Sequence, residues 1–96
     1  MIALEVYLNG RKVCTAGDEK LEMVTGGVSL IRSPAEPVPA IHFSVNGLAE
    51  ADASRDLLSW ASRMLSAGDR VEIRIVNCKQ ADKPQIPAPP FIERLV

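Results

Sequence analysis

The sequence predicts an α+β fold, a mostly antiparallel sheet of about four or five strands with one helix packed on one face. Two observations lead to this class. Three segments alternate apolar and polar side chains as a half-buried strand does. Residues 54–66 instead space their apolar side chains as an amphipathic helix does. An all-β sandwich or barrel is the alternative fold.

The first strand covers Ile2–Leu8, where apolar residues occupy alternate positions. Asn9-Gly10 follows and predicts a type I′ hairpin turn, because both residues tolerate the positive φ that this turn requires. A two-residue loop places Val6 opposite Val13 on the inner face, unless a bulge shifts the register. The outer face then carries Glu5, Tyr7, Lys12 and Cys14.

The middle of the chain predicts further strands. Residues 21–32 are rich in β-branched side chains and are interrupted by Gly26-Gly27, which favours one bent strand or a hairpin over a helix. Residues 33–39 contain three prolines and therefore form a surface connection. Ala40–Asn46 resumes strict alternation and is predicted to be a strand.

Residues 54–66 change the period of the pattern. Gly68 stands where a helix-terminating glycine belongs, and Asp52 or Ser54 can cap the start of a helix. The apolar residues at helical spacing are Leu57, Leu58, Ala61, Met64 and Leu65. Alternation returns at Val71–Val76 and predicts the last strand.

One helix covers only one side of a sheet, so the two faces of the predicted sheet differ. The predicted core consists of Leu4, Val6, Val13, Phe43, Val45, Val71, Ile73 and Ile75. The opposite face must be solvated, covered by the apolar end of the chain, or buried in an oligomer. The resulting candidate interaction surface comprises Tyr7, Lys12, His42 and Arg74 on the sheet, with Phe91 and Ile92 near the end of the chain.

The length and composition of the chain limit the class of protein to which it can belong. The chain has 96 residues, 47% of them hydrophobic and 24% charged, as expected of one globular domain. We predict a single domain over residues 1–78 and a proline-rich carboxy-terminal arm over residues 79–96. The net charge of -1 supplies no field that would attract nucleic acid or an anionic membrane.

The expected location is the cytoplasm. No apolar stretch is long enough to span a membrane, and no basic leader precedes the first strand. The redox buffers of the cytoplasm keep thiols reduced, so Cys14 and Cys78 are expected to be free.

Three residues with possible ligand or catalytic chemistry fall opposite core-facing positions: Cys14, His42 and Cys78. On neighbouring strands they would meet on one sheet face. A zinc site would need a further ligand such as Glu5 or Glu72, and the sequence lacks closely spaced ligand pairs. A dyad of Cys14 and His42 would need an activated thiol, but Cys14 lies in an ordinary strand and not at a helix start. We therefore predict no catalytic residue, no metal and no cofactor.

Residues 41–75 resemble the carboxy-terminal half of β-grasp sulfur-carrier proteins. The resemblance rests on VNG at residues 45–47 and on WASRMLSAGDRVEI at residues 60–73, which contains the L-x-x-G-D-x-V-x-I entry to their last strand. It implies a ubiquitin-like, β-grasp-like fold. The chemistry of that family needs a terminal Gly-Gly, whereas this chain ends in RLV and has its Gly-Gly at residues 26–27. The carrier reaction is therefore not implied.

A second resemblance is to small bacterial proteins that carry no assigned activity. It rests on LNG at residues 8–10, CTAG at residues 14–17, Trp60, and GDRVEIRIV at residues 68–76. Several of those proteins are rich in strands where a helix is predicted here. This resemblance implies no chemistry.

The sequence names no biochemical activity and argues against an enzyme. The favoured hypothesis is a non-catalytic interaction or assembly module that acts through an outer sheet face, an edge strand or the carboxy-terminal arm. Its partner is expected to be another protein or a second copy of the chain, and neither nucleic acid nor a membrane. The alternative is a degenerate β-grasp carrier-like domain or a small thiol- or metal-assisted enzyme.

Overall fold

Six β-strands and no helix make up the part of the chain that the structure, a computed structural model, describes: residues 1–48 and 57–84. The strands are β1 (Ile2–Leu8), β2 (Arg11–Ala16), β3 (Met23–Ile31), β4 (Ala40–Leu48), β5 (Leu57–Leu65) and β6 (Val71–Asn77). They form two antiparallel sheets, sheet A in the order β2-β1-β6 and sheet B in the order β3-β4-β5. The predicted α+β class is wrong, and the all-β alternative fits.

A β-bulge explains why a helix was predicted at residues 54–66. Val45 of β4 pairs with Ala61, but the next residue, Asn46, pairs with Ser59, so Trp60 is an extra residue in β5. The apolar residues of β5 that pair with interior positions of β4 are Leu58, Ala61 and Leu65. Their spacing of three and four is also the spacing of one helix face. The β-grasp-like arrangement, which includes a helix, is wrong for the same reason.

The first hairpin has the predicted turn but a different register. Asn9 and Gly10 have φ values of 52° and 81°, as a type I′ turn requires. Pairing starts as predicted, yet Val6 lies opposite Cys14 because Val13 is an extra residue in β2. This bulge moves Cys14 from the predicted outer face to the interior, where it is 3% exposed.

The remaining strands agree with the sequence pattern. Residues 23–31 form one strand, β3, which pairs residue by residue with β4 and contains no bulge at Gly26-Gly27. The proline-containing residues 33–39 connect these two strands at the surface. The predicted strands at Ala40–Asn46 and Val71–Val76 are confirmed as β4 and β6.

The core lies between the central strands of the two sheets. Val6 of β1 and Phe43 and Val45 of β4 are completely buried. Small residues from the two neighbouring edges complete the buried cluster: Cys14, Ala16 and Ala61. Leu4, Val13 and Val71 pack against this cluster, as predicted, and remain partly exposed. Ile73 and Ile75 were also assigned to the core, but they are 37% and 78% exposed.

The segment after β6 crosses to the other side of the sandwich and bridges the two sheets there. The amide of Asp82 donates to the Thr15 carbonyl of β2 at 2.9 Å, and its carboxylate accepts from the Thr15 amide at 2.8 Å. The Asp82 carbonyl accepts from the Trp60 indole of β5 at 2.7 Å. Asp82 therefore joins one edge of sheet A to one edge of sheet B. The beginning of the predicted arm, residues 79–84, is thus hydrogen-bonded to the sheets, while residues 85–96 lie outside the described residues.

Replacing Gly47 by alanine is expected to destabilise the sandwich. A Cβ there would lie 2.6 Å from Leu21 Cδ1 and 2.9 Å from Trp60 Cζ3, and the indole is held by Asp82. Overpacking of this kind should lower the free energy of unfolding in a urea titration by about 1–3 kcal/mol. The matched control is Gly27→Ala, since a Cβ at Gly27 meets no atom within 4 Å. Equal losses in the two variants would contradict the packing described here.

Candidate interaction surface

Three residues of the sequence-predicted surface meet on the outer face of sheet A. The Tyr7 hydroxyl donates to Glu5 Oε1 at 2.5 Å, and Lys12 Nζ lies 3.5 Å from Glu5 Oε2. The Arg74 guanidinium lies over the Tyr7 ring, 4.6 Å from its centroid, and pairs with Glu72. Register explains the grouping, because Tyr7 pairs with Lys12 on one side and with Glu72 on the other.

The positive and negative charges of this outer-face cluster neutralise one another. The hydrogen bond from Tyr7 lowers the pKa of Glu5, and the positive charge of Lys12 acts in the same direction. The same bond raises the pKa of Tyr7. The hydrogen bond and charge of Glu72 raise the pKa of Arg74. The cluster combines two acids with two bases, so the face is polar without a dominant charge.

His42 does not join this cluster. It lies on β4, on the face of sheet B opposite to buried Phe43, and its Nε2 is 2.9 Å from the Ser62 hydroxyl of β5. The prediction assumed a single sheet with one outer face, whereas a sandwich has two. Tyr7 and His42 therefore lie on opposite sides of the molecule. Phe91 and Ile92, the other two predicted surface residues, lie outside the described residues.

The structure also separates the residues considered for thiol or metal chemistry. Cys14 is buried, and burial raises the pKa of its thiol to about 11, with a further contribution from the charge of Asp82. His42 lies beyond sheet B, and Cys78 follows β6 beside Met1. Within residues 1–48 and 57–84, no three His, Cys, Asp or Glu side chains form a group that could hold a metal ion.

A different surface stands out at the side of the sandwich formed by β3 and β6. Directly paired residues of an antiparallel sheet share a face. Val28 pairs with Phe43 and Ile73 pairs with Val6, so both residues face the interior. Leu30 lies two residues after Val28, and Ile75 lies two residues after Ile73, so these side chains also face the interior. Yet Val28, Leu30, Ile73 and Ile75 are 51%, 52%, 37% and 78% exposed.

Among residues 1–48 and 57–84, the sandwich is therefore open where β3 and β6 meet. Gly26 of β3 lies under Ile73, whose Cδ1 would be 3.3 Å from a Cβ at that glycine. This is where the two strands approach each other, and the apolar side chains farther along remain accessible. We call β3, together with the exposed Val28, Leu30, Ile73 and Ile75, the open edge.

The four edge strands differ in how they are protected from pairing with another chain. Edges are normally blocked by charges, prolines, bulges or covering segments. β2 carries Arg11, Lys12 and a bulge, and Asp82 covers it; β5 carries Arg63 and a bulge. β6 carries Glu72 and Arg74. β3 (MVTGGVSLI) has nine residues without a charge, a proline or a bulge, and within the described chain it is hydrogen-bonded to β4 alone.

The sequence pattern predicts edge strands as candidates but does not select β3. The signal was available as the uncharged run at residues 23–31, but the position of that run at an edge depends on the strand order. Comparisons with protein-family models, curated proteins and solved structures found no match. Within the described part of the chain, no helix has the length and apolarity that a membrane span requires.

The outer-face cluster yields a prediction about Glu5. Tyr7→Phe removes the hydroxyl that contributes most to lowering the pKa of Glu5, so this pKa should rise towards its ordinary value of 4.5. The pKa is measured by NMR titration of the carboxyl carbon. Lys12→Met is the comparison variant, and it should also raise the pKa of Glu5, because it removes the charge and the hydrogen bond of Lys12. A larger shift in the Lys12 variant would show that the ion pair, and not the hydroxyl, controls this carboxylate.

Burial of Cys14 predicts a loss of stability at alkaline pH. Between its ordinary pKa near 9 and the folded value of about 11, the folded chain keeps a proton that the unfolded chain releases. The stabilisation is complete below pH 9 and is lost as the pH rises through this window, at up to about 1.4 kcal/mol per unit. Urea titrations from pH 8 to 11 measure this slope. Cys14→Ala should be less stable than the wild type at pH 8 but should show a shallower slope; identical slopes would contradict the assignment.

Proposed function

We propose that this protein is a non-catalytic interaction module that binds an extended polypeptide segment along the open edge. One observation supports the proposal: at β3, an unblocked edge coincides with apolar side chains that face the interior but remain exposed. The bound segment would add a strand to sheet B, and its apolar side chains would fill the space between β3 and β6.

Two kinds of contact would contribute to affinity. Main-chain hydrogen bonds to β3 would contribute about 0.5–1.5 kcal/mol each, because they replace hydrogen bonds to water. Covering the exposed side chains would contribute about 25 cal/mol for each Å² of apolar area removed from water. Since every second residue of the bound strand points towards the interior, alternate apolar residues would determine its specificity.

The other surfaces are less suited to this role. The outer-face cluster around Glu5 and Tyr7 is polar and internally paired, and burying it would cost the hydration of several charged groups. At Thr15 and Trp60, the side of the sandwich at β2 and β5 is covered by the segment that contains Asp82.

The alternative function, a carrier-like domain or a thiol- or metal-assisted enzyme, remains a prediction without support from the site geometry. Cys14 is protonated at neutral pH because its pKa is about 11, and His42 lies on the far side of sheet B. We place the module in the cytoplasm as part of the proposal, since both cysteines are free thiols.

Site-specific photocrosslinking tests the proposed function. A photoreactive benzoylphenylalanine in place of Ser29, an exposed residue of β3 whose side chain points away from the interior, should crosslink to a polypeptide in the cells that produce the protein. The same analogue in place of exposed Lys20, in the connection before β3, serves as the matched control. Adducts that form equally well at both positions, or at neither, would contradict binding at the open edge.

A further inference from the structure

We infer that the strand bound at the open edge is β3 of a second copy of this chain, arranged antiparallel about a two-fold axis. This inference rests on the proposed function and specifies its partner. Two copies of sheet B would then form one continuous sheet of six strands, in the order β5-β4-β3-β3-β4-β5.

The charge pattern favours pairing of β3 with itself. A two-fold axis brings each residue of β3 close to residues of the same strand, so any charge on the strand would face a like charge. Residues 23–31 contain no charged side chain, so symmetric pairing encounters no such repulsion. Pairing of β6 with itself would bring together two copies of an edge that carries Glu72 and Arg74.

The alternation of side chains also permits this arrangement. In an antiparallel pair, the sum of two paired residue numbers is constant. A two-fold axis keeps each side chain on the same face of the sheet, so this sum must be even. Even-numbered residues therefore pair with even-numbered residues. The even-numbered residues Val24, Gly26, Val28 and Leu30 face the interior of one copy. They would therefore meet the interior-facing residues of the other copy. The two interiors would join, and Val28 and Leu30 of both copies would cover one another.

The carboxy-terminal arm is the rival occupant of the open edge. Its sequence, PQIPAPPFIERLV at residues 84–96, contains apolar residues, but its four prolines have no amide hydrogen to donate. Only its last six residues are free of proline, whereas β3 presents nine residues. The described chain also reaches this arm from Asp82, on the side of the sandwich away from the open edge. The arm therefore matches β3 less well than a second β3 does.

Sedimentation equilibrium of the full chain and of two charge variants tests the inference. The wild-type protein should have twice the chain mass of 10.4 kDa. Thr25→Lys with Ser29→Lys places two like charges on exposed outward-facing positions of β3 without touching the interior. This variant should be a monomer, and so should the matching Thr25→Glu with Ser29→Glu variant. An equimolar mixture of the two should restore the dimer mass, because opposite charges then face each other across the axis.

Restoration in the mixture also shows that both variants are folded, and circular dichroism of each variant provides an independent check. The inference is overturned if the wild-type chain is a monomer, if either folded charge variant remains a dimer, or if the mixture stays monomeric. A wild-type monomer that dimerises after residues 85–96 are deleted would identify the arm as the occupant. Photocrosslinks from position 29 to a different protein would refute the dimer but retain the proposed function. If position 29 gives no more adducts than position 20, both the dimer and the proposed function are refuted.

Discussion

In a sheet of three strands, only the central strand has a hydrogen-bonded neighbour on each side. The packing of two such sheets, with β1 and β4 at their centres, is the constraint on which the rest of the structure depends. Val6 on β1 and Phe43 and Val45 on β4 are completely buried because their strands have neighbours on each side and a sheet above them. The other four strands of the described chain are edges. Two of these edges, β2 and β5, are interrupted by the bulges at Val13 and Trp60, β6 carries charged residues, and β3 has neither feature.

The two bulges link the packing of the core to the contacts that hold the sheets together. The extra residue in β2 directs Cys14 into the core, beside the small residue Ala16. The extra residue in β5 is Trp60, whose indole lies against Gly47 and donates a hydrogen bond to Asp82. Without these shifts, a regular alternation would direct different side chains inwards along both strands. The closed side of the sandwich is thus built from irregular strands.

Sequence patterns predicted the regular parts of this fold and missed the irregular ones. Alternation and the Asn9-Gly10 pair located β1, its hairpin turn, β4 and β6, because these features depend on neighbouring residues alone. A bulge depends on contacts with distant strands, so nothing in the local pattern revealed the shift at Val13. Parity correctly assigned Ile75 to the inner face, but its 78% exposure depends on what lies above it. For the same reason, sequence reasoning placed Tyr7 and His42 on one surface although they belong to different sheets.

The position of Asp82 has a consequence for how large an assembly can grow. Its hydrogen bonds occupy the margin of sheet A that faces Trp60, leaving the opposite side of the sandwich accessible. In the proposed dimer, β3 would be paired with the second copy and β2 would be bound by Asp82, while β5 and β6 carry charged residues, so no uncharged edge of the described strands would be left. Such a dimer would end its growth after a single association, whereas a subunit with two accessible margins would polymerise into fibrils. The short segment after β6 would then prevent a further copy from adding a strand at β2, where Asp82 is bound to Thr15.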